Sequence, residues 1–292
     1  MLWRQLAAVL AFLSALLAVN EGIAFSLSGE AVTDAEFLEL CASGTAQEIA
    51  EALDAGANLY ARDSEGMTGL MYAVEKNPNP MIVPILLEEG ISVNSRGGRN
   101  TTVLMTAARA NRNPGIIAIL LSAGANVDAR DEDGMTVLMY AAAFNKNPDI
   151  ISVLLDAGAD IDARTGRGMT ALMFAAAMNS NPEVIATLVE GGANVNAQDE
   201  GGRMAVGYAR DNDNLLAFEI ALRHRRNRQL IDVLIRSAER GDADSQYQLG
   251  LMYARGEGVS VDQWKAIQWF RRAKAQGFEP ARYELIKRGF YH

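Results

Sequence analysis

The sequence predicts an all-α fold, an α-solenoid of stacked helical hairpins, and three observations lead there. A phrase of about fifteen residues recurs every 34 positions: "TTVLMTAARANRNPG" from Thr101, "MTVLMYAAAFNKNPD" from Met135 and "MTALMFAAAMNSNPE" from Met169. Periods of 20–50 residues mark units that cannot bury their apolar faces alone and must stack. Each copy also carries its own helix start and stop residues. Finally, 49% of residues are hydrophobic and 22% charged, as in a folded repeat protein rather than a disordered chain.

The first helix of each unit opens at Thr68, Thr102, Thr136 or Thr170, whose hydroxyl is placed to cap the apolar run that follows. The Ala-rich runs, such as "VLMYAAA", let neighbouring helices approach closely. Asn145 is expected to end its helix in the left-handed conformation. Asn147 then caps a second helix with Pro148 at its first position, where no N–H is needed. Asp149 and Glu183 add negative charge to first turns. "IISVLLDAG" has helical spacing and stops at Gly158, one of a series with Gly56, Gly90, Gly124 and Gly192. "ADIDARTGRG" reads as a polar loop and hairpin.

Helix, Asn-Pro turn, helix, glycine stop and hairpin together resemble the ankyrin repeat, over about residues 34–222. The residues that carry the resemblance are "TVLMYAA", "VLLDAGADIDARTGRG" and their copies. The sequence has T-x-L-M-x-A where that family has T-P-L-H-x-A, and one more residue in the turn between helices. The resemblance implies that Met71, Met105, Met139 and Met173 replace the signature His, filling its space by packing alone. Arg62, Arg96, Arg130 and Arg164 keep the same beat and are expected to brace neighbouring hairpins. The first unit lacks the Thr signature and the Asn-Pro turn. The last, with His224 and Arg223, Arg225, Arg226 and Arg228, is degenerate, as solvent-facing ends of a stack should be.

Residues 229–292 change register. Gly250, Tyr253, Gly256, Gly258, Val259, Asp262, Ala266, Trp269, Ala273 and Gly277 resemble a Sel1-like repeat, one full copy and part of a second. Gly256 and Gly258 are expected to turn between two closely packed helices, with Trp269 in the core. The organisation expected is a secretory signal at 1–24, a linker at 25–33, an ankyrin-repeat domain at 34–228 and a Sel1-like repeat at 229–292. The signal reading rests on Arg4, the apolar run Leu6–Val19 and the small residues Gly22 and Ala24. With the two repeat types, it implies a bacterial-type exported protein, periplasmic or secreted, with no membrane insertion after cleavage.

Chemistry is sparse. Two His and one Cys leave little for a metal site or disulfide framework. Cys41, in "FLELCAS", reads as a buried thiol. Phosphate-loop, nucleophile-elbow and zinc-protease motifs are absent. "DARDEDG" fails as a calcium loop, because Ala129 and Tyr140 fall on ligand positions; its acids read as a solvated hairpin tip. Residues 1–202 carry 11 basic and 25 acidic side chains, a poor match to nucleic acid. No enzyme activity, cofactor or metal is therefore expected.

The resemblance to ankyrin repeats implies a monomeric, non-enzymatic adaptor that holds a protein partner on hairpin tips and the exposed side of the first helices. The residues this assigns are Met135, Phe144, Met169 and Met178 as an apolar centre, flanked by Arg109, Glu132, Asp133 and Arg167. A secreted effector acting on a host protein would use the same surface. A hydrolase would need two facing carboxylates in one pocket.

Overall fold

The computed structural model describes residues 32–290, in which fifteen α-helices run in sequence. The expected signal segment and most of the linker lie outside the described residues, as does His292. The described residues divide into two compact units, one ending at Gly168 and the other beginning at Met169. Among the described residues, strand-like pairing is confined to isolated antiparallel bridges at the hairpins, such as Arg62 with Thr68 and Arg130 with Thr136.

The first unit holds four helical hairpins: α1 (Asp34–Ser43) with α2 (Ala46–Asp54), α3 (Gly69–Lys76) with α4 (Ile82–Glu88), α5 (Val103–Ala110) with α6 (Pro114–Ser122), and α7 (Val137–Phe144) with α8 (Pro148–Asp156). First helices pack on first helices, α1 on α3, α3 on α5 and α5 on α7; second helices likewise, α4 on α6 and α6 on α8. The core between them is Leu70, Leu104, Leu138, the paired Ala107 and Ala108, Ala141 and Ala142, and the Ile and Leu residues of the second helices.

The expected threonine caps are present, with the hydroxyls of Thr68, Thr102 and Thr136 accepting from the N–H of Met71, Met105 and Met139 at 3.2–3.4 Å. The methionines do more than pack. The Sδ of Met105 accepts the N–H of Thr102 at 3.3 Å, and that of Met139 the N–H of Thr136 at 3.4 Å. They close a reciprocal capping box, with sulfur in place of the usual Glu carboxylate. Sulfur is a weak acceptor, yet it serves an N–H in a site that water does not reach: Met105 and Met139 are fully buried. In the first hairpin the same device uses Thr33 with Glu36 and Thr45 with Glu48. Its T-x-x-E spacing is legible in the sequence, although the unit lacks the Thr signature at the 34-residue beat.

Asn145 does not take the left-handed conformation. Its φ of −86° and ψ of 132° are extended, because its side chain is committed elsewhere. The Nδ2 group donates to the carbonyls of Ala108 at 2.9 Å and Asn111 at 2.8 Å in the preceding hairpin, while Oδ1 accepts the N–H of Asn147 at 2.9 Å. Asn77 reaches Cys41 and Gly44 in the same way, and Asn111 reaches Val74. Each asparagine thus satisfies carbonyls left open at the end of the previous first helix. The glycines expected to stop second helices do take the left-handed conformation, with φ near 90° at Gly56, Gly124 and Gly158.

The arginine series braces the hairpins as expected. Arg62 donates to the carbonyls of Gly66 and Arg96, Arg96 to those of Asn100 and Arg130, and Arg130 to those of Gly134 and Arg164, at 2.6–3.1 Å. Asn113 and Asn147 cap α6 and α8, with Pro114 and Pro148 at the first turn. The exception is α4, which starts at Ile82 rather than at Pro80. Pro84 explains the delay: further inside the helix its ring would clash with the carbonyl four residues back, whereas here it falls in the first turn, where no N–H is required.

The second unit holds α9 (Ala171–Met178) with α10 (Pro182–Glu190), α11 (Ala205–Asp211), α12 (Leu215–Glu239), α13 (Ala243–Arg255), α14 (Gln263–Ala275) and α15 (Glu279–Lys287). α9 packs on α11 and α10 on α12; the chain then continues α12 on α13, α13 on α14 and α14 on α15. The expected border between residues 228 and 229 lies inside α12, which runs unbroken for 25 residues and packs on both α10 and α13. Gly256 and Gly258, with φ of 76° and 81°, turn the chain between α13 and α14. Trp269 packs against the Ile231, Leu249 and Met252 cluster, whereas Trp264 is 60% exposed.

Cys41 is fully buried and free. Burial pushes its thiol up to about 12, far from the thiolate range that nucleophilic cysteines occupy. A thiol-labelling time course is therefore expected to show no reaction of native protein at pH 8 and full reaction in denaturant. Rapid labelling of native protein would contradict this packing.

Candidate protein-binding surface

The hairpin tips and first helices of the first unit present one face whose chemistry alternates. Tyr72 and Tyr140 sit at a spacing of 68, and each donates its hydroxyl to the carboxylate at the base of its own hairpin, Asp63 or Asp131, at 2.7 Å. The other oxygen of Asp131 accepts the N–H groups of Asp133 and Met135. Asp131 is consequently buried, not part of a solvated tip. The signal for these pairs, Asp and Tyr nine residues apart in alternate units, is present in the sequence but is masked by the stronger 34-residue beat.

These pairs hold their protons firmly. The bond to Asp63, with burial, pushes Tyr72 up to about 12. Burial, with the bond to Asp131, raises Tyr140 as well. For Asp63, burial works in the opposite direction, but the Tyr72 hydroxyl and the N–H groups of Met67 and Glu65 outweigh it and lower its pKa. At neutral pH the first pair is a neutral phenol, Tyr72, on an ionised carboxylate, Asp63, a hairpin brace with no proton poised to move.

Between the two tyrosines the corresponding residue is Thr106, and the aspartate position is Gly97. The smaller side chain leaves a groove of about 550 Å³, lined among others by Met67, Arg99, Met105, Thr106, Arg109 and Tyr140. The hairpin beside it departs from its neighbours. Arg99 and Asn100 have φ of 54° and 63°, where hairpins on either side use Gly66 and Gly134. Left-handed backbone at a non-glycine residue costs on the order of 1 kcal/mol, and such strain gathers at binding sites.

Of the residues assigned from sequence, Arg109 lines this groove and pairs with Glu75 at 2.7 Å. Asp133, exposed at a tip, pairs with Arg99. Glu132 is exposed beside it, its N–H donating to the carbonyl of Arg99 at 3.1 Å. Phe144 ends α7 with 44% of its surface exposed, its ring tilted against Tyr140 at 6.2 Å. Met135 is half-buried, because its backbone closes the Asp131 hairpin; it offers less apolar surface than the sequence reading expects. Arg167 is exposed. In the second unit, Met178 ends α9 at 51% exposure and Met169 is half-buried. Met67, Arg99 and Tyr140 are the additions the structure makes to the assigned set; Met67 and Arg99 occur in the sequence as a residue before Thr and a hairpin tip, but nothing there shows that Thr106 opens space between them.

Three copies of a family model for ankyrin repeats match residues 37–131, 104–199 and 138–247, together most of the chain. The chain belongs to the ankyrin-repeat family. A Sel1 repeat model matches residues 243–278, which covers α13 and α14. The ankyrin match extends through α12 into α13, and the Sel1 match begins at residue 243, after α12 has ended. No curated protein matches the chain. The two repeat types mark it as a protein–protein interaction module.

Proposed function

We propose that the chain is an exported, non-enzymatic adaptor that holds a protein partner on the hairpin-tip and first-helix face. The observation that carries this reading is the groove at Thr106, bordered by a strained hairpin and by side chains of the kinds enriched at protein interfaces, Met67, Tyr140 and two arginines. Exposed Phe144 adds apolar surface in the first unit, and Met178 ends its own first helix with apolar surface in the second. The charges at this face are paired across hairpins, Arg109 with Glu75 and Arg99 with Asp133, which favours a rim that orients a partner over a catalytic cluster. A hydrolase reading lacks comparable support, since Glu65 is the lone carboxylate lining this groove.

The test is capture of partners from periplasmic extract and culture medium by the mature protein and by the Phe144→Arg/Met178→Arg variant. Both side chains are exposed, so the variant is expected to melt within a few degrees of the wild type. Loss of the captured set is the expected result; an unchanged set overturns the reading. Export rests on the sequence of residues 1–24. N-terminal sequencing of the protein from its natural source is expected to begin near Phe25, and an intact Met1 would overturn cleavage.

A further inference from the structure

The second unit carries a groove of a different kind, between the turn at residues 194–196 and one face of α12, with a volume of about 590 Å³. Four clustered arginines of α12, Arg223, Arg225, Arg226 and Arg228, divide into two pairs. Arg225 donates to the carbonyl of Ala193 at 2.8 Å, and Arg228 pairs with Glu190 at 3.1 Å; these two fix α12 against the preceding helix and its turn. Arg225 also lines the groove, with Arg223 and Arg226; these last two are exposed and, among the described residues, make no ion pair. Standing three positions apart on the helix, they share a face. Glu219 is the one carboxylate in the lining, and the amides of Asn196 and Gln229 add neutral donors.

We propose that this groove binds an acidic peptide segment of a partner protein, with the guanidinium groups of Arg223 and Arg226 each taking a carboxylate. Arginine forks match carboxylates with two parallel hydrogen bonds. Leu222, also in the lining, supplies an apolar surface for the stem of a Glu side chain. The volume suits a few side chains of an extended segment. Nucleic acid is the poorer occupant. Its affinity grows with the number of phosphates neutralised, whereas two unpaired arginines are available here and residues 1–202 carry 25 acidic side chains against 11 basic. The inference uses other residues than the Thr106 groove, so the two readings stand or fall separately.

The experiment is fluorescence anisotropy on the mature chain with three labelled probes: a peptide of alternating Asp and Glu, its Asn and Gln counterpart, and a single-stranded DNA of equal charge. The acidic peptide is expected to bind at low salt, to weaken as salt rises, and to lose at least about tenfold in affinity in Arg223→Glu/Arg226→Glu. The amide peptide is expected not to bind. Arg223→Gln/Arg226→Gln, which removes charge without reversing it, is expected to fall between, and circular dichroism of both variants should match the wild type. Peptide affinity that is unaltered in both variants overturns the proposal, as does equal binding of the amide peptide or tighter binding of the DNA. Sedimentation of the wild type as a dimer that dissociates in the variants would assign the groove to a second copy and would overturn it too.

Discussion

Replacing Asn145 with leucine is expected to destabilise the protein by about 3 kcal/mol, although the two side chains are nearly the same size. Asn145 is 2% exposed, and its side chain donates to the carbonyls of Ala108 and Asn111 and accepts from the N–H of Asn147. Each bond is worth about 1 kcal/mol net, and a buried carbonyl left without a donor costs about 1–3 kcal/mol more. Asn147→Ala removes a cap and one bond to the carbonyl of Arg112, so its expected cost is smaller, about 1 kcal/mol. Urea unfolding orders the two variants, and amide exchange locates the effect. Protection should fall in α5 through α8, on both sides of the junction. A shift for Asn145→Leu no larger than that for Asn147→Ala would show that the asparagine ladder does not hold the hairpins together.

The second large effect is expected at Gly250, where alanine should lower stability by about 2 kcal/mol despite its better helix propensity. A Cβ built there would stand 2.4–2.9 Å from three ring atoms of Phe270, closer than side chains tolerate. The ring has no room to retreat. Phe270 is fully buried, with Tyr247 at 5.8 Å between ring centroids and the Arg288 guanidinium over its face at 5.2 Å. Overpacking a core costs about 1–3 kcal/mol or more, which outweighs the roughly 1 kcal/mol that alanine gains over glycine in a helix. Phe270→Leu made in the Gly250→Ala background should cost less than Phe270→Leu alone, because the two changes share one space. Thermal melts of the four proteins check this. Additive losses would mean that α13 and α14 do not meet through Gly250.

The residues that set the period were easy to read, because helix ends have few solutions. Threonine caps, Asn-Pro starts and glycine stops announce themselves locally, and so do the glycines between α13 and α14. What stayed hidden depends on partners one unit away. Asn145 carries the signature of a helix terminator, yet its side chain serves the preceding helix, and its own backbone stays extended. Met139 looks like filling until the N–H of Thr136 is seen to lack any other partner than its sulfur. The binding groove was the least legible. It arises from a subtraction, Thr106 and Gly97 where alternate units have Tyr and Asp, and a single-unit period averages that difference away. Likewise, nothing local in "RNRQLIDVL" shows that one helix runs unbroken across the border expected after residue 228.

The central claim is that in the first unit the first-helix and hairpin-tip face, not the second-helix side, receives the partner. A photo-crosslinking amino acid placed singly at Phe144 or at Ser152 tests it most directly. Both positions are exposed, the first at the end of α7 and the second on α8. Irradiation in extract, followed by mass spectrometry, is expected to give discrete adducts from position 144 and none from position 152. Adducts from position 152 alone, or the same adducts from both, would contradict the account.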